Sequence, residues 1–139
     1  MVTLVVVCLL LAIAVPAYEG LATRARVRAA IGDIGSLHVM LEQYRLKNND
    51  QLPASLAEIV SAPTVDPWGR PYQYLNIMTA DPGNGGFRKD GNLNPLNTDY
   101  DLYSVGKDGS TAGPLSAKAS RDDIVRANDG AYIGLGEDY

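Results

Sequence analysis

The chain opens on a run of fifteen residues that is apolar apart from Thr3 and carries no charged side chain before Pro16. A helix of this length reaches roughly 22 Å, whereas the hydrocarbon core of a bilayer measures about 30 Å. A secretory signal peptide would need a basic leader and a small-residue cleavage site, but no Lys or Arg precedes Arg24. The run therefore predicts a membrane anchor that is short at its front end.

Composition restricts the 139-residue chain to a single domain with a modest core. With 12 basic and 16 acidic residues the formal net charge is −4. Nucleic acid is not expected as a partner, because phosphate binding relies on a basic surface. Basic residues follow the apolar run and acidic residues crowd the C-terminal third. Basic flanks usually stay cytoplasmic, which by itself would place the body inside the cell.

Beyond Pro16 the apolar residues recur at intervals of three and four, which predicts that the helix continues to about residue 47. The proline removes one backbone hydrogen bond, and we expect the helix to bend or loosen there. His38, the only histidine, has no evident metal or catalytic partners and is interpreted as an ordinary surface or groove residue. The predicted apolar stripe consists of Val27, Ala30, Ile31, Ile34, Leu37, Leu41 and Tyr44.

The body is rich in turn-forming residues, so we divide the chain into an anchor over residues 1–16, an amphipathic helical part over 17–50 and a globular part over 51–139. Ser55 is the predicted N-cap of a short helix over residues 55–60, with Glu58 as its capping-box partner. Antiparallel strands are predicted at residues 72–77, 100–105 and 131–135. Such a small sheet needs the helix stripe as its floor, which predicts an α+β fold with a long helix on a three-stranded sheet.

The segment Asp66-Pro67-Trp68-Gly69 predicts a tight turn. Proline restricts φ, and glycine tolerates the left-handed conformation that such turns require. Trp68 offers a large apolar surface, so we expect it to attach the turn to the core.

Acidic residues in the C-terminal third form the one cluster with metal-binding chemistry. Cys8 is the only cysteine, so no intrachain disulfide can hold the loops of the body. Asp108 precedes Gly109 in a predicted turn, and Asp122 and Asp123 follow across a loop that is long enough to curl around one ion. Calcium takes six to eight oxygen ligands from carboxylates, carbonyls and water. The alternative interpretation is a solvated acidic loop without metal.

Several motifs identify a family resemblance that covers essentially the whole chain. The motifs are Asp66-Pro-Trp-Gly-Arg-Pro-Tyr-Gln-Tyr74, Tyr100-Asp-Leu-Tyr-Ser-Val-Gly-Lys-Asp-Gly109 and Asp122-Asp-Ile124. Together with the N-terminal helix they resemble the major pseudopilins of type II secretion systems, which are type IV pilin-like proteins. In that family the mature chain starts several residues earlier, so the resemblance implies that a cleavage glycine, a methylated N-terminal residue and a near-terminal glutamate precede the present sequence.

The resemblance also implies a calcium ion in the C-terminal loop. Its carboxylate ligands would be Asp108 and Asp122, with Asp123 adjoining and the Val105 carbonyl in the same shell. The carbonyls of Lys107 and Ser120 would complete the ligand set. A calcium ion in this place would hold the C-terminal loop as a crosslink does.

A structural function follows from the resemblance. It implies a homopolymeric filament that grows from the inner membrane, carries its body in the periplasm and helps to export folded proteins across the outer membrane. The implied partners are minor pseudopilins, an inner-membrane assembly platform and a cytoplasmic ATPase, with the lipid membrane before assembly. Two alternatives stay open: a type IV pilin for adhesion, motility or DNA uptake, and a monomeric membrane-anchored calcium-binding module. No catalytic residue set is evident, so an enzyme is not expected.

Overall fold

The fold is one long helix followed by a small antiparallel sheet, in a computed structural model that describes residues 1–59, 63, 65–81, 83 and 85–139. The helix is α1 (Val2–Lys47). The strands, which lie in chain order across the sheet, are β1 (Gln73–Asn76), β2 (Tyr100–Ser104), β3 (Ile124–Ala127) and β4 (Tyr132–Leu135). The predicted α+β class is confirmed.

Helix α1 is continuous through Pro16, as the sequence predicted. Residues 1–21 are exposed along their whole circumference, because the body begins to contact the helix only after them. Within the described ranges, α1 is the one helix that is long and apolar enough to cross a membrane. One element therefore has two parts, a bare apolar half and a half that packs on the body.

The second half of α1 forms the floor of the main core. Ala30, Ile34, Leu37 and Leu41 are completely buried and lie on one face of the helix. They pack with Tyr72, Tyr100, Leu102 and Ile124 from the sheet side of the body. The predicted apolar stripe is confirmed from Val27 to Leu41, whereas Tyr44 lies outside this core and donates its hydroxyl to Glu58. The burial of the stripe supplies the hydrophobic free energy that strands of four or five residues cannot supply alone.

The sheet has four strands where the sequence predicted three, because β3 was missed. All four β3 residues are buried. Ile124 belongs to the core under α1, while Val125 and Ala127 pack with Leu96 and Leu115 in a second cluster on the opposite face. Burial on both faces removes the alternation of apolar and polar residues by which a strand is recognised, and Arg126 interrupts the apolar run.

The helix predicted at residues 55–60 is a short 3-10 helix, Leu56–Glu58. The Glu58 carboxylate accepts the backbone N–H of Ser55 at 3.2 Å and that of Ala54 at 2.8 Å. Val60 lies outside the described residues. The Glu58 side of the predicted capping arrangement is therefore present.

His38 occupies a groove between α1 and the sheet. Its Nδ1 accepts a hydrogen bond from Arg126 Nε at 3.3 Å and lies 2.7 Å from the Tyr100 hydroxyl. Arg126 also binds the Asp99 carboxylate through both terminal nitrogens at 2.8 Å and stacks over the Tyr100 ring. Because Nδ1 accepts, the neutral form of His38 fits this network and the protonated form does not.

Acidification should weaken the packing of α1 on the sheet. Burial, followed by the positive charge of Arg126, lowers the pKa of His38 below its ordinary value, while Glu42 and Asp99 act in the opposite direction. The unfolded chain therefore takes up a proton at His38 before the folded chain does. Stability from this group is complete above about pH 6.5 and falls as the pH drops through the lower folded-state pKa.

We predict that the free energy of unfolding falls as the pH drops below about 6.5, and that His38→Gln reduces this slope. The measurement is urea unfolding of the full chain in detergent, followed by the fluorescence of Trp68. Because the chain has no other histidine, the substitution isolates this contribution. An unchanged pH slope in His38→Gln would show that the groove does not carry the effect.

Candidate metal centre

The turn at residues 66–69 is built around the buried carboxylate of Asp66. Its Oδ1 accepts the backbone N–H groups of Trp68 at 3.0 Å and Arg70 at 2.9 Å, and its Oδ2 accepts the Ser104 hydroxyl at 2.6 Å. Gly69 has φ +84°, the left-handed conformation that glycine tolerates. Trp68 packs against the main core, so the predicted turn and its tryptophan contact are confirmed.

Arg70 connects this turn to the loop that follows β2 and carries Asp108. Its Nη1 donates to the Gly106 carbonyl at 2.8 Å and more weakly to the Lys107 carbonyl at 3.4 Å. A Cβ on Gly109 would lie 2.6 Å from Arg70 Nε, so the guanidinium lies directly against the loop backbone. The Asp66 turn therefore fixes the start of the loop that carries the predicted metal ligands.

Asp108 and Asp122 are brought together, as the sequence predicted. The Asp122 Oδ2 accepts the backbone N–H of Asp108 at 2.9 Å, and Asp108 Oδ1 accepts the N–H of Ser110 at 2.7 Å. Gly106 makes this approach possible. It has φ +66°, and a Cβ there would lie 2.2 Å from the Asp122 carbonyl oxygen.

Asp123 points away from that pair into the interior. Its side chain is fully buried, and its Oδ2 accepts hydrogen bonds from Arg88 Nη2 and from the Thr111 hydroxyl, each at 2.6 Å. Burial raises the pKa of the Asp123 carboxyl, while its hydrogen bonds and the charge of Arg88 oppose the shift. A carboxylate in this position therefore depends on a neighbouring cation.

The structure gathers the predicted ligand set only in part. Asp108 is exposed and Asp122 is half-buried, and they lie on two turns that meet across the loop, while Val105 directly follows the last residue of β2. The Lys107 and Ser120 carbonyls already accept bonds, from Arg70 and from the Asp123 N–H at 3.3 Å. Among the described residues, no three His, Cys, Asp or Glu side chains are arranged to hold a metal ion. Two carboxylates alone do not fill the six to eight oxygen positions of calcium, and the Asp123 carboxylate lies outside the pair.

A cavity of ≈ 610 Å³ opens beside the acidic pair, between α1 and the C-terminal loop. Thr23 and Val27 from the helix and Trp68 from the turn line it together with Asp108 and Asp122. Trp68 is the only tryptophan of the chain, so its fluorescence reports on this region.

Sequence reasoning missed the basic residues that organise the loop, Arg70 and Arg88. Arg70 belongs to a motif whose residue types indicate only a turn, and Arg88 stands in a segment without recognisable periodicity. Each acts on residues about 35 positions away in the chain. No local pattern predicts such a pairing.

The fold defines a pilin-like protein, since a long helix with a bare apolar half packs its second half on a small antiparallel sheet. A family model described as Type II secretion system (T2SS), protein G matches residues 18–124. The chain belongs to this family, the major pseudopilins, and is a structural subunit of a type II secretion pseudopilus.

Curated relatives agree with the family assignment. The chain is 32% identical over 133 residues to the Type II secretion system core protein G of Pseudomonas aeruginosa, covering 81% of this chain and 82% of that protein. It is 32% identical over 138 residues to the protein of that name from Pectobacterium carotovorum, covering 92% and 80%, and 28% identical over 134 residues to that of Escherichia coli, covering 90% and 83%. No solved structure matches the chain significantly.

We predict that Gly106→Ala destabilises the body by about 2–3 kcal/mol or more, because the new Cβ collides with the Asp122 backbone in a conformation that already disfavours L residues. Gly91→Ala is the matched control, since Gly91 also has positive φ but a Cβ added there would meet no atom within 4 Å. It should cost only about 1–2 kcal/mol. Urea unfolding of both variants gives the comparison, and equal losses would contradict the close approach at Asp122.

Proposed function

We propose that the bare half of α1 holds the chain in the inner membrane as a single-pass protein, with the body in the periplasm, until assembly. The support is the apolar surface of residues 1–16, which is fully exposed and needs lipid or protein around it. Leu9, Leu10 and Leu11, which are successive residues and therefore point about 100° apart around the helix, are each more than half exposed. A surface that is apolar all round fits a bilayer first and a ring of neighbouring helices later.

The proposed assembly is a helical homopolymer in which copies of α1 cover one another. Contacts between unlike surfaces of identical subunits need not close into a ring, so they extend as a filament. Minor pseudopilins, an inner-membrane platform and a cytoplasmic ATPase are the proposed partners. The chain lacks a Gly-rich phosphate-binding loop, so the energy for assembly comes from another component. We assign the chain no catalytic activity and no nucleic-acid partner.

The family match favours this function over the two alternatives. A type IV pilin would share the helix and much of the fold, but the matched family and the relatives carry the secretion-system name. A solitary calcium-binding module would leave the uniform apolar surface of the helix without a role beyond anchoring.

We predict that the full chain, produced with its assembly machinery, forms filaments visible by electron microscopy and that Leu10→Glu abolishes them. A charge at the centre of the anchor costs roughly 2.5–3.5 kcal/mol on insertion and has no partner among packed apolar helices. Met78→Glu is the matched control, since Met78 is similarly exposed but lies in the turn after β1, outside the anchor.

Membrane fractionation separates the two causes of a Leu10→Glu defect. Variant protein that reaches the membrane but forms no filaments supports a role of the helix in assembly. Normal filaments from Leu10→Glu, or dispersed wild-type protein with the machinery present, would contradict the proposed assembly.

We further propose that the Asp108 and Asp122 carboxylates bind a calcium ion, with the Val105 carbonyl as an additional ligand. The support is the approach of the two acidic residues across the loop, where Asp108 is exposed and Asp122 is half-buried. When bound, the ion would supply positive charge to two carboxylates whose hydrogen bonds come from backbone N–H groups.

Calcium should raise the melting temperature of the full chain and change Trp68 fluorescence, with half-saturation at roughly 0.1–1 mM. Asp108→Asn and Asp122→Asn should each weaken this response by tenfold or more. Asp81→Asn, an exposed aspartate that accepts the Gly83 N–H in the β1–β2 connection, is the control and should titrate like the wild type. A wild-type titration in Asp122→Asn would remove this assignment.

A further inference from the structure

Arg88 places a buried cation inside the C-terminal loop. Only 2% of the residue is exposed, and its partner Asp123 is fully buried. The guanidinium donates from Nη2 to Asp123 Oδ2 at 2.6 Å and from Nη1 to the Ala112 carbonyl at 2.8 Å. Nη1 also donates to the Thr111 hydroxyl. One side chain thus binds both ends of the loop segment 111–123.

The position of Arg88 is fixed from the sheet side as well. Its backbone N–H donates to the buried carboxylate of Asp101 in β2 at 2.7 Å. Its guanidinium lies 4.3 Å from the ring centroid of Tyr103, within the range of a cation–π contact. The guanidinium is therefore held between β2 and the loop by several contacts, which is the arrangement that a buried charge requires.

The remaining atoms of this pair are complementary. Among the buried atoms of the described residues, Arg88 Nε and Asp123 Oδ1 have no hydrogen-bond partner. One is a donor and the other an acceptor, and a guanidinium and a carboxylate commonly join through two parallel bonds. The Arg88 Nε–H can thus donate a second hydrogen bond to Asp123 Oδ1 within the same ion pair.

We propose that Arg88 is a built-in counter-ion for Asp123 that closes the C-terminal loop, so that this body folds without a divalent cation at Asp123. The family resemblance placed Asp123 beside the metal, whereas the contacts of this chain give its carboxylate to a guanidinium. A metal ion bound to the same carboxylate would be repelled by Arg88 at close range in a poorly solvated interior. The pair therefore replaces a metal at this position instead of supporting one.

The proposed calcium site at Asp108 and Asp122 is separate from the Arg88–Asp123 pair. That site lies at the accessible edge of the loop, and the Arg88 pair lies in its interior. Chelation would remove a stabilising ligand from the edge, and the interior pair would keep the body folded. The two assignments are tested by different substitutions.

The test is thermal unfolding of the full chain in detergent, followed by Trp68 fluorescence, once with saturating calcium and once with EGTA. Arg88→Met and Asp123→Leu should each lower the melting temperature by roughly 10 °C or more, because each leaves one buried charge alone. The losses should be equal in the two solutions. The double variant Arg88→Met/Asp123→Leu should regain at least half of the loss, since it removes both charges.

Lys89→Met is the matched control. Lys89 is the next residue and is also basic. Within the described residues its side chain makes no hydrogen bond or ion pair. The melting temperature of the Lys89→Met variant should therefore stay near that of the wild type. Arg88→Lys keeps the charge but loses the planar fork, and should fall between the wild type and Arg88→Met.

Three results would overturn the proposal. A wild-type body that is unfolded in EGTA would show that a metal is required. A loss in Asp123→Leu that occurs only with calcium would make Asp123 a metal ligand. If the single variants do not fold, a folded double variant supports the pairing, and a double variant that is unfolded or no more stable than either single variant overturns it.

Discussion

The packing of one face of α1 on the sheet is the contact on which the body depends. Four residues of that face, Ala30, Ile34, Leu37 and Leu41, are completely buried. The strands have only four or five residues each, and a sheet of that size is not stable without a covering layer. The polar groove around His38 joins the same two layers. Loss of the helix would therefore expose the core. It would also remove the hydrogen bond between His38 of α1 and Arg126, which binds Asp99.

Helix α1 has two different roles. Its second half is committed to the body, whereas residues 1–21 have no contact that buries them. Because α1 is continuous through Pro16, the body and the anchor are linked by a rod and not by a loop. The position of the body relative to the membrane or to a neighbouring copy is thus coupled to the direction of the helix. This coupling suits the proposed filament, in which copies of α1 cover one another.

Local signals in the sequence predicted much of this structure. The three- and four-residue spacing indicated the helix and its buried face, and the Asp66 turn was evident from its residue types. Strand β3 was missed because both of its faces are buried and Arg126 interrupts it. The approach of Asp108 to Asp122 followed from loop length, but the contact of Asp123 with Arg88 did not. That contact joins residues 35 positions apart and depends on a segment without regular structure.

A chain with one cysteine must hold a long loop by contacts other than a disulfide, and the body distributes this task over three buried or half-buried polar side chains. Asp66 fixes the turn, Arg70 binds the loop start, and Arg88 binds the loop end. Each contact crosses at least 35 positions of sequence, so forming it costs loop-closure entropy that the packing of the body must offset. Since a buried charge without its partner is costly, alternative loop arrangements that break one of these pairs are disfavoured more than apolar contacts alone would achieve. The loop conformation that presents Asp108 and Asp122 at the surface is thus determined from inside the body.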